Sequence, residues 1–178
     1  MSVRRPGLAD ELYFITIAVV SWQPVFIRRE YSEHVMTCLR HCRDRKGLEI
    51  YAYVLMPNHL HAVVRSGGRP LAATMRDVKS YSAKTLIQLI ADNPQESRRE
   101  PLARLFAGYG EHNAMNRDDQ FWQNGYHPIE LHTPAVTRPK IAYIHQNPVR
   151  AGFVSEPAHW FYSSAHPQNP LGVFPEGY

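Results

Sequence analysis

What the 178-residue sequence has little of narrows it first. It has two cysteines, Cys38 and Cys42, four apart on one predicted helix. That spacing suits a disulfide poorly, so a reducing, cytoplasmic setting is expected. No apolar run approaches the length of a membrane span, so no membrane partner is expected. The stretch LYFITIAVVSW (residues 12–22) is apolar, but Asp10-Glu11 precede it and no small-residue cleavage site follows. It therefore predicts a buried strand rather than a signal peptide. No Walker-type glycine loop occurs, so the usual nucleotide-phosphate cradle is missing. Internal repeats and low-complexity tracts are absent too. Charged residues make up 20%, a little under the usual share, while 44% hydrophobic content supports a substantial core.

What is present is a mild basic excess and many histidines. The net charge is +4 and the pI about 9.2, a weak pointer to a polyanionic partner. Ten histidines make metal or proton chemistry worth testing. The length favours one domain with at most an appendage.

Periodicity gives the elements. Residues 12–20 are rich in β-branched and aromatic residues, a first strand. Residues 29–45 place Tyr31, Val35, Cys38 and Cys42 on one helical face, with Gly47 as the stop. Residues 48–56 and 59–66 form two strands joined at Pro57-Asn58, a hairpin. Residues 71–91 carry a helical stripe of Leu71, Met75, Val78, Ser82, Leu86 and Leu89. Residues 92–120, with Arg98, Arg99, Arg104 and Arg117, read as a long polar connection. Residues 121–132 suggest an interrupted fourth strand. Residues 137–147 suggest a short helix capped by Thr137 and ended before Pro148. The order predicts an α+β protein with a ferredoxin-like βαββαβ antiparallel sheet and an added C-terminal helix. A domain over residues 1–164 and a loop-rich tail over 165–178 are expected.

The chemistry begins in VLMPNHLHAVV (residues 54–64). Strand alternation puts His59, His61 and Val63 on one face and Leu60, Ala62 and Val64 on the other. Residues two apart in a strand are separated by about 6.5–7 Å, so both imidazoles can lean onto one ion. Two half-exposed surface histidines would look the same in sequence. A two-histidine site also needs a ligand from elsewhere, and an oxygen ligand would suit magnesium or manganese. In YIHQNPVRAG (residues 143–152), Tyr143 and Asn147 are four apart and share a helix face, whereas His145 points elsewhere. His34, Cys38, His41 and Cys42 raise a second metal site, although packing of free thiols is the commoner outcome.

MPNHLHAVV, followed much later by YIHQNPVRAGFV and WFYSS, resembles the REP-associated tyrosine transposases. These are IS200-like members of the HUH single-strand DNA transposases, named for two histidines around a hydrophobic residue, here His59-Leu60-His61. The resemblance implies a catalytic Tyr143 and a metal site of His59, His61 and Asn147 holding Mg2+ or Mn2+. It implies cleavage and rejoining of single-stranded DNA at hairpins of repeated extragenic palindromes through a 5′-phosphotyrosine. The implied setting is bacterial, cytoplasmic and nucleoid-associated, with a monomer or homodimer as the working form. Arg65, Lys79, Trp122, Arg138, Lys140 and Arg150 are candidates for holding the DNA, and Arg69, Arg76, Lys84, Tyr109 and Tyr126 extend that set. An ordinary solvated surface and an aromatic core would account for the same residues. Two rival functions remain open: a domesticated binder of structured nucleic acid that does not cut, and a metal hydrolase in which water attacks.

Overall fold

The computed structural model describes residues 11–112 and 119–174. Strand alternation organises it. Four strands, β1 (Leu12–Ala18), β2 (Leu48–Leu55), β3 (His59–Ser66) and β4 (Ile129–Glu130), form one antiparallel sheet in the order β2-β3-β1-β4. Tyr13, Ile15 and Ile17 of β1 and Leu60, Ala62 and Val64 of β3 point to one face. There they meet α1 (Arg29–Lys46) and α2 (Leu71–Asp92) in the main core, through Tyr31, Val35, Leu39, Met75, Val78 and Leu86. The alternate residues Phe14, Ala52, Val54 and Val63 face the other way, against Ile141 and Ile144 of α4 (Pro134–Arg150). The protein is thus the expected ferredoxin-like sheet, with a further helix laid across its second face. No described helix is long and apolar enough to cross a membrane.

Local chemistry explains the element ends. Gly47 closes α1 in the left-handed conformation (φ 68°), and a Cβ there would meet the Gly67 carbonyl oxygen at 2.7 Å. Gly152 (φ 77°) ends α4, with Gly152 N–H donating to the Val149 carbonyl and Phe153 N–H to that of Pro148, a Schellman closure.

Four expectations are corrected. The first strand stops at Ala18, and a 3-10 turn occupies Val20–Trp22. The polar connection contains a third helix, α3 (Arg99–Glu111), which buries Leu102, Phe106 and Gly110; Arg117 lies outside the described residues. In α2 the stripe ends on buried Ile90, while Leu89 is exposed. Finally, α4 is longer than 137–147. Thr133 is its extended N-cap, Pro134 its first residue, and Thr137 lies inside, donating its hydroxyl to the Thr133 carbonyl at 3.0 Å. Pro148 is tolerated because it sits in the last turn and costs only the bond to the Ile144 carbonyl.

Residues 151–174 are loop apart from a 3-10 turn at Pro157–His159, and they are fastened along the outer edge of β2. Leu55 N–H donates to the Tyr162 carbonyl, Ser164 N–H to that of Tyr53, and Phe174 N–H to that of Ile50. This covers an edge that would otherwise offer unpaired backbone groups. The Ser164 hydroxyl ties the strap to both strand and helix. It accepts from Tyr53 N–H at 3.0 Å, donates to the Tyr53 carbonyl at 3.2 Å, and lies 2.8 Å from His145 Nε2 of α4. Replacing Ser164 with Ala strands the Tyr53 N–H and removes one partner of the His145 imidazole. A loss of about 1–3 kcal/mol is expected in urea unfolding, and a change below about 0.5 kcal/mol would show that the strap does not secure α4.

Candidate active site

The register of β1 against β3 places His59 opposite Ala18 and His61 opposite Thr16. Both rings emerge on the face that α4 covers. Their centroids lie 4.5 Å apart, edge to face. Each Nδ1 is engaged by a neighbouring oxygen. His59 Nδ1 lies 2.7 Å from Asn58 Oδ1. The Asn58 amide nitrogen donates to the Trp22 carbonyl at 3.1 Å, which orients the amide and makes Oδ1 the acceptor. His59 therefore carries its proton on Nδ1 and presents a lone pair at Nε2. His61 Nδ1 meets the Thr16 hydroxyl at 2.8 Å, and Phe14 stacks on its ring at 5.2 Å.

Burial sets the charge of the pair. Desolvation pushes His59 down to about 4 and His61, which is 7% exposed, down to about 3. For His61 the neighbouring His59 adds to the effect, and a backbone hydrogen bond to Ile15 opposes it. Both imidazoles are neutral near pH 7, the form that binds a metal.

Across from them, α4 presents one helical stripe of Lys140, Tyr143, Asn147 and Arg150, while Thr137, Ile141, Ile144 and Pro148 face inward. The Tyr143 ring lies 5.5 Å from that of His61 and 6.1 Å from that of Phe14, and Tyr143 remains 36% exposed. The tyrosine and histidine faces thus meet within a single chain. Lys140 Nζ sits 4.8 Å from the Phe14 centroid and 6.0 Å from that of Tyr143. Arg150 Cζ lies 5.6 Å from the Tyr143 centroid on the other side. Asn147 is half-buried one turn beyond Tyr143.

The remaining candidates divide. Arg138 is exposed on α4. Arg65 is paired with Glu49 at 2.6 Å and lies over the Tyr51 ring. Lys79 turns inward, donating to the carbonyls of Gln123 and Gly125 at 2.7 and 2.6 Å, and desolvation lowers it to about 8. Trp122 is a core residue: it is buried, its Nε1 donates to Ser82 Oγ, and its ring packs on Phe26 and Phe121. That placement corrects the expectation of an accessible stacking surface there. Cys38 and Cys42 are buried thiols, and burial pushes Cys38 up to about 12. No group of three or more His, Cys, Asp or Glu side chains is placed for a metal among the described residues.

One neighbour of the histidines escaped the sequence reading. Trp22 is 51% exposed, and its ring is steeply inclined (74°) to that of His59 with centroids 5.5 Å apart. Ser21 (φ 52°) and Trp22 (φ 53°) both adopt the left-handed conformation, which costs about 1–2 kcal/mol per residue without glycine. Nothing in residue type or spacing marks such a backbone.

A tyrosine helix laid over paired histidines on a ferredoxin-like sheet defines the protein's class, that of the tyrosine transposases. The chain belongs to the family described as "Transposase IS200 like", whose model matches residues 10–100, just over half of it. Similarity extends across the Tyr143 helix as well. A curated relative described as a REP-associated tyrosine transposase, from Haemophilus influenzae, is 23% identical over 177 residues, covering 97% of this chain and 90% of its own. A solved REP-associated tyrosine transposase bound to a REP hairpin shares the fold, with a TM-score of 0.65 and 18% identity over 98% of this chain and 88% of that one.

The histidine pair generates a pH dependence. Its folded values lie below the unfolded value near 6.5, so the unfolded chain binds more protons in acid. The stability this contributes is complete above about pH 6.5 and is lost as the pH falls toward 4 and 3. In chelator-treated protein, urea unfolding at pH 5 should show up to about 2 kcal/mol less stability per histidine than at pH 7.5. His61→Asn should flatten that dependence, and an equally steep profile in the variant would assign the acid sensitivity to other groups.

Proposed function

We propose that the chain is a metal-dependent transesterase that cuts and rejoins single-stranded DNA beside hairpins of repeated extragenic palindromes. The observation that carries this reading is the 5.5 Å approach of Tyr143 to His61 within one chain. The substrate is carried over from the solved relative, which is bound to a REP hairpin, and from the related curated transposase.

The residues fit a divalent ion, magnesium or manganese. His59 and His61 are neutral, close together and held at Nδ1 by Asn58 and Thr16, the outer support that metal-binding imidazoles usually have. Nε2 of each would then be the ligand nitrogen, and the Asn147 amide oxygen would supply the third ligand. Its position favours this. Lys140, before Tyr143, lies over Phe14, opposite Val63, while Phe153, past the helix end, packs on Trp160, which bonds Leu55 opposite Leu60. Helix α4 thus runs toward the His59 end of β3, and the rise of about 6 Å from Tyr143 to Asn147 matches the strand spacing of about 6.5–7 Å from His61 to His59. When bound, such an ion neutralises charge on the phosphate and polarises phosphorus.

The protein's own groups do the rest. Tyr143 Oη attacks phosphorus and gives up its proton, and a bond to phosphorus forms as the bond from phosphorus to the 3′ oxygen breaks. The 3′ oxygen takes up a proton and leaves as a hydroxyl, while the 5′ phosphate stays on Tyr143. Attack by another 3′-hydroxyl reverses the step and joins strands, so the phosphodiester energy is kept. Lys140 and Arg150 flank Tyr143 and attract the phosphate to it. The 5.5 Å approach of Tyr143 to His61 favours a site assembled within one chain.

The test is incubation with Mn2+ and single-stranded DNA carrying a palindromic hairpin. A protein–DNA adduct is expected from the wild type and none from Tyr143→Phe or His61→Ala. Mixing those two variants should not restore it; restoration would mean a site shared between chains. Cleavage that persists in Tyr143→Phe without an adduct would point to water attack, and binding without cleavage to a non-cutting protein. Asn58→Ala should weaken Mn2+ binding about 10–100-fold, and unchanged affinity would remove Asn58 from the support of His59.

A further inference from the structure

We propose that Trp22 is the platform on which an unpaired nucleobase stacks beside the phosphate held at His59 and His61. This rests on reading that pair as the phosphate-binding half of a DNA-cutting site. Three independent observations meet at Trp22.

The first is its exposure. The other tryptophans spend their rings on the fold: Trp122 is enclosed with Nε1 donating to Ser82, and Trp160 packs on Phe153 with Nε1 donating to the Leu55 carbonyl. Trp22 is 51% exposed, belongs to neither apolar core, and its indole N–H has no partner among the described residues. Half of this large aromatic residue is left toward solvent beside the histidines.

The second is attachment to the site. The Trp22 carbonyl accepts from the Asn58 side-chain amide, and Asn58 Oδ1 of that amide accepts from His59 Nδ1, so backbone, amide and imidazole form one chain. The ring meets that of His59 at 74° with centroids 5.5 Å apart, so no parallel partner is stacked there, and half of the residue stays exposed. The third is the backbone. Successive left-handed conformations at Ser21 and Trp22 aim the side chain at the histidines, where an ordinary turn would send the chain elsewhere.

An exposed indole next to a phosphate site suits one ligand chemistry. A nucleobase joined to that phosphate lies within a side chain's length of it, every base offers a π-face, and stacking is tolerant of sequence. Lys140 and Arg150 supply the charge near the phosphate, and Trp22 supplies the apolar surface for the adjoining base. Trp22 is then a positioning residue: it holds the strand while Tyr143 reacts.

The experiment measures binding without requiring cleavage. A short single-stranded oligonucleotide is titrated in Mn2+ into the Tyr143→Phe protein, alone and combined with Trp22→Ala or Trp22→Phe. Trp22→Ala should weaken binding about 5- to 150-fold, Trp22→Phe should restore most of it, and thermal stability should be nearly unchanged because the ring is half exposed. The oligonucleotide should quench tryptophan fluorescence when Trp22 is present and much less in Trp22→Phe. Replacing the base next to the cleaved phosphate with an abasic site should weaken binding to the Trp22 protein and change little for Trp22→Ala. Equal affinity for all variants, or quenching that survives Trp22→Phe, would overturn the proposal. Adduct formation by protein with native Tyr143 is scored separately. An adduct with no Trp22 effect rejects the stacking platform alone, and a Trp22 effect without an adduct rejects the cutting chemistry alone.

Discussion

Everything at the candidate site depends on the register of β1 against β3. Thr16 lies opposite His61 and Ala18 opposite His59, so both imidazoles face α4 and the Thr16 hydroxyl reaches His61 at 2.8 Å. A slip of one residue would turn both histidines into the main core and bring Leu60, Ala62 and Val64 out of it. The same register is enforced from the opposite face, where those three residues pack against α1 and α2. Fold stability and site geometry are therefore one constraint: the apolar half of the HLHAVV alternation fixes where the polar half stands.

The second constraint is the position of α4. Ile141 and Ile144 hold it on Phe14, Val54 and Val63, and His145 links it to Ser164 on the strap along β2. Covering the sheet on this side desolvates His61, keeps it neutral and brings the Tyr143 ring over it. The strap also closes the β2 edge, so one chain completes both the sheet edge and the tyrosine–histidine contact.

Much of this was legible in the sequence because it follows short periods. Alternation gave the histidine face, and the four-residue spacing gave the Tyr143–Asn147 face. What was missed has physical reasons. In residues 99–111 the buried side of α3 is a stripe of only Leu102, Phe106 and Gly110, too short to stand out after the polar stretch DNPQESRRE that opens the connection. Pro139 and Pro148 look like helix boundaries, yet α4 includes both because packing of its apolar side outweighs the missing donors. Trp122, read as a candidate for DNA, is taken by the core through a hydrogen bond to Ser82 that no local pattern announces. Trp22 went unnoticed for the converse reason: its exposure and aim come from a left-handed backbone, which composition does not encode.

Electron spin resonance of Mn2+ bound to the wild-type protein tests the two-histidine site most directly. Nitrogen couplings from two imidazoles are expected, reduced to one in His59→Ala and one in His61→Ala. A manganese signal with oxygen ligands alone, or one unaltered by either substitution, would contradict a metal centre on this pair.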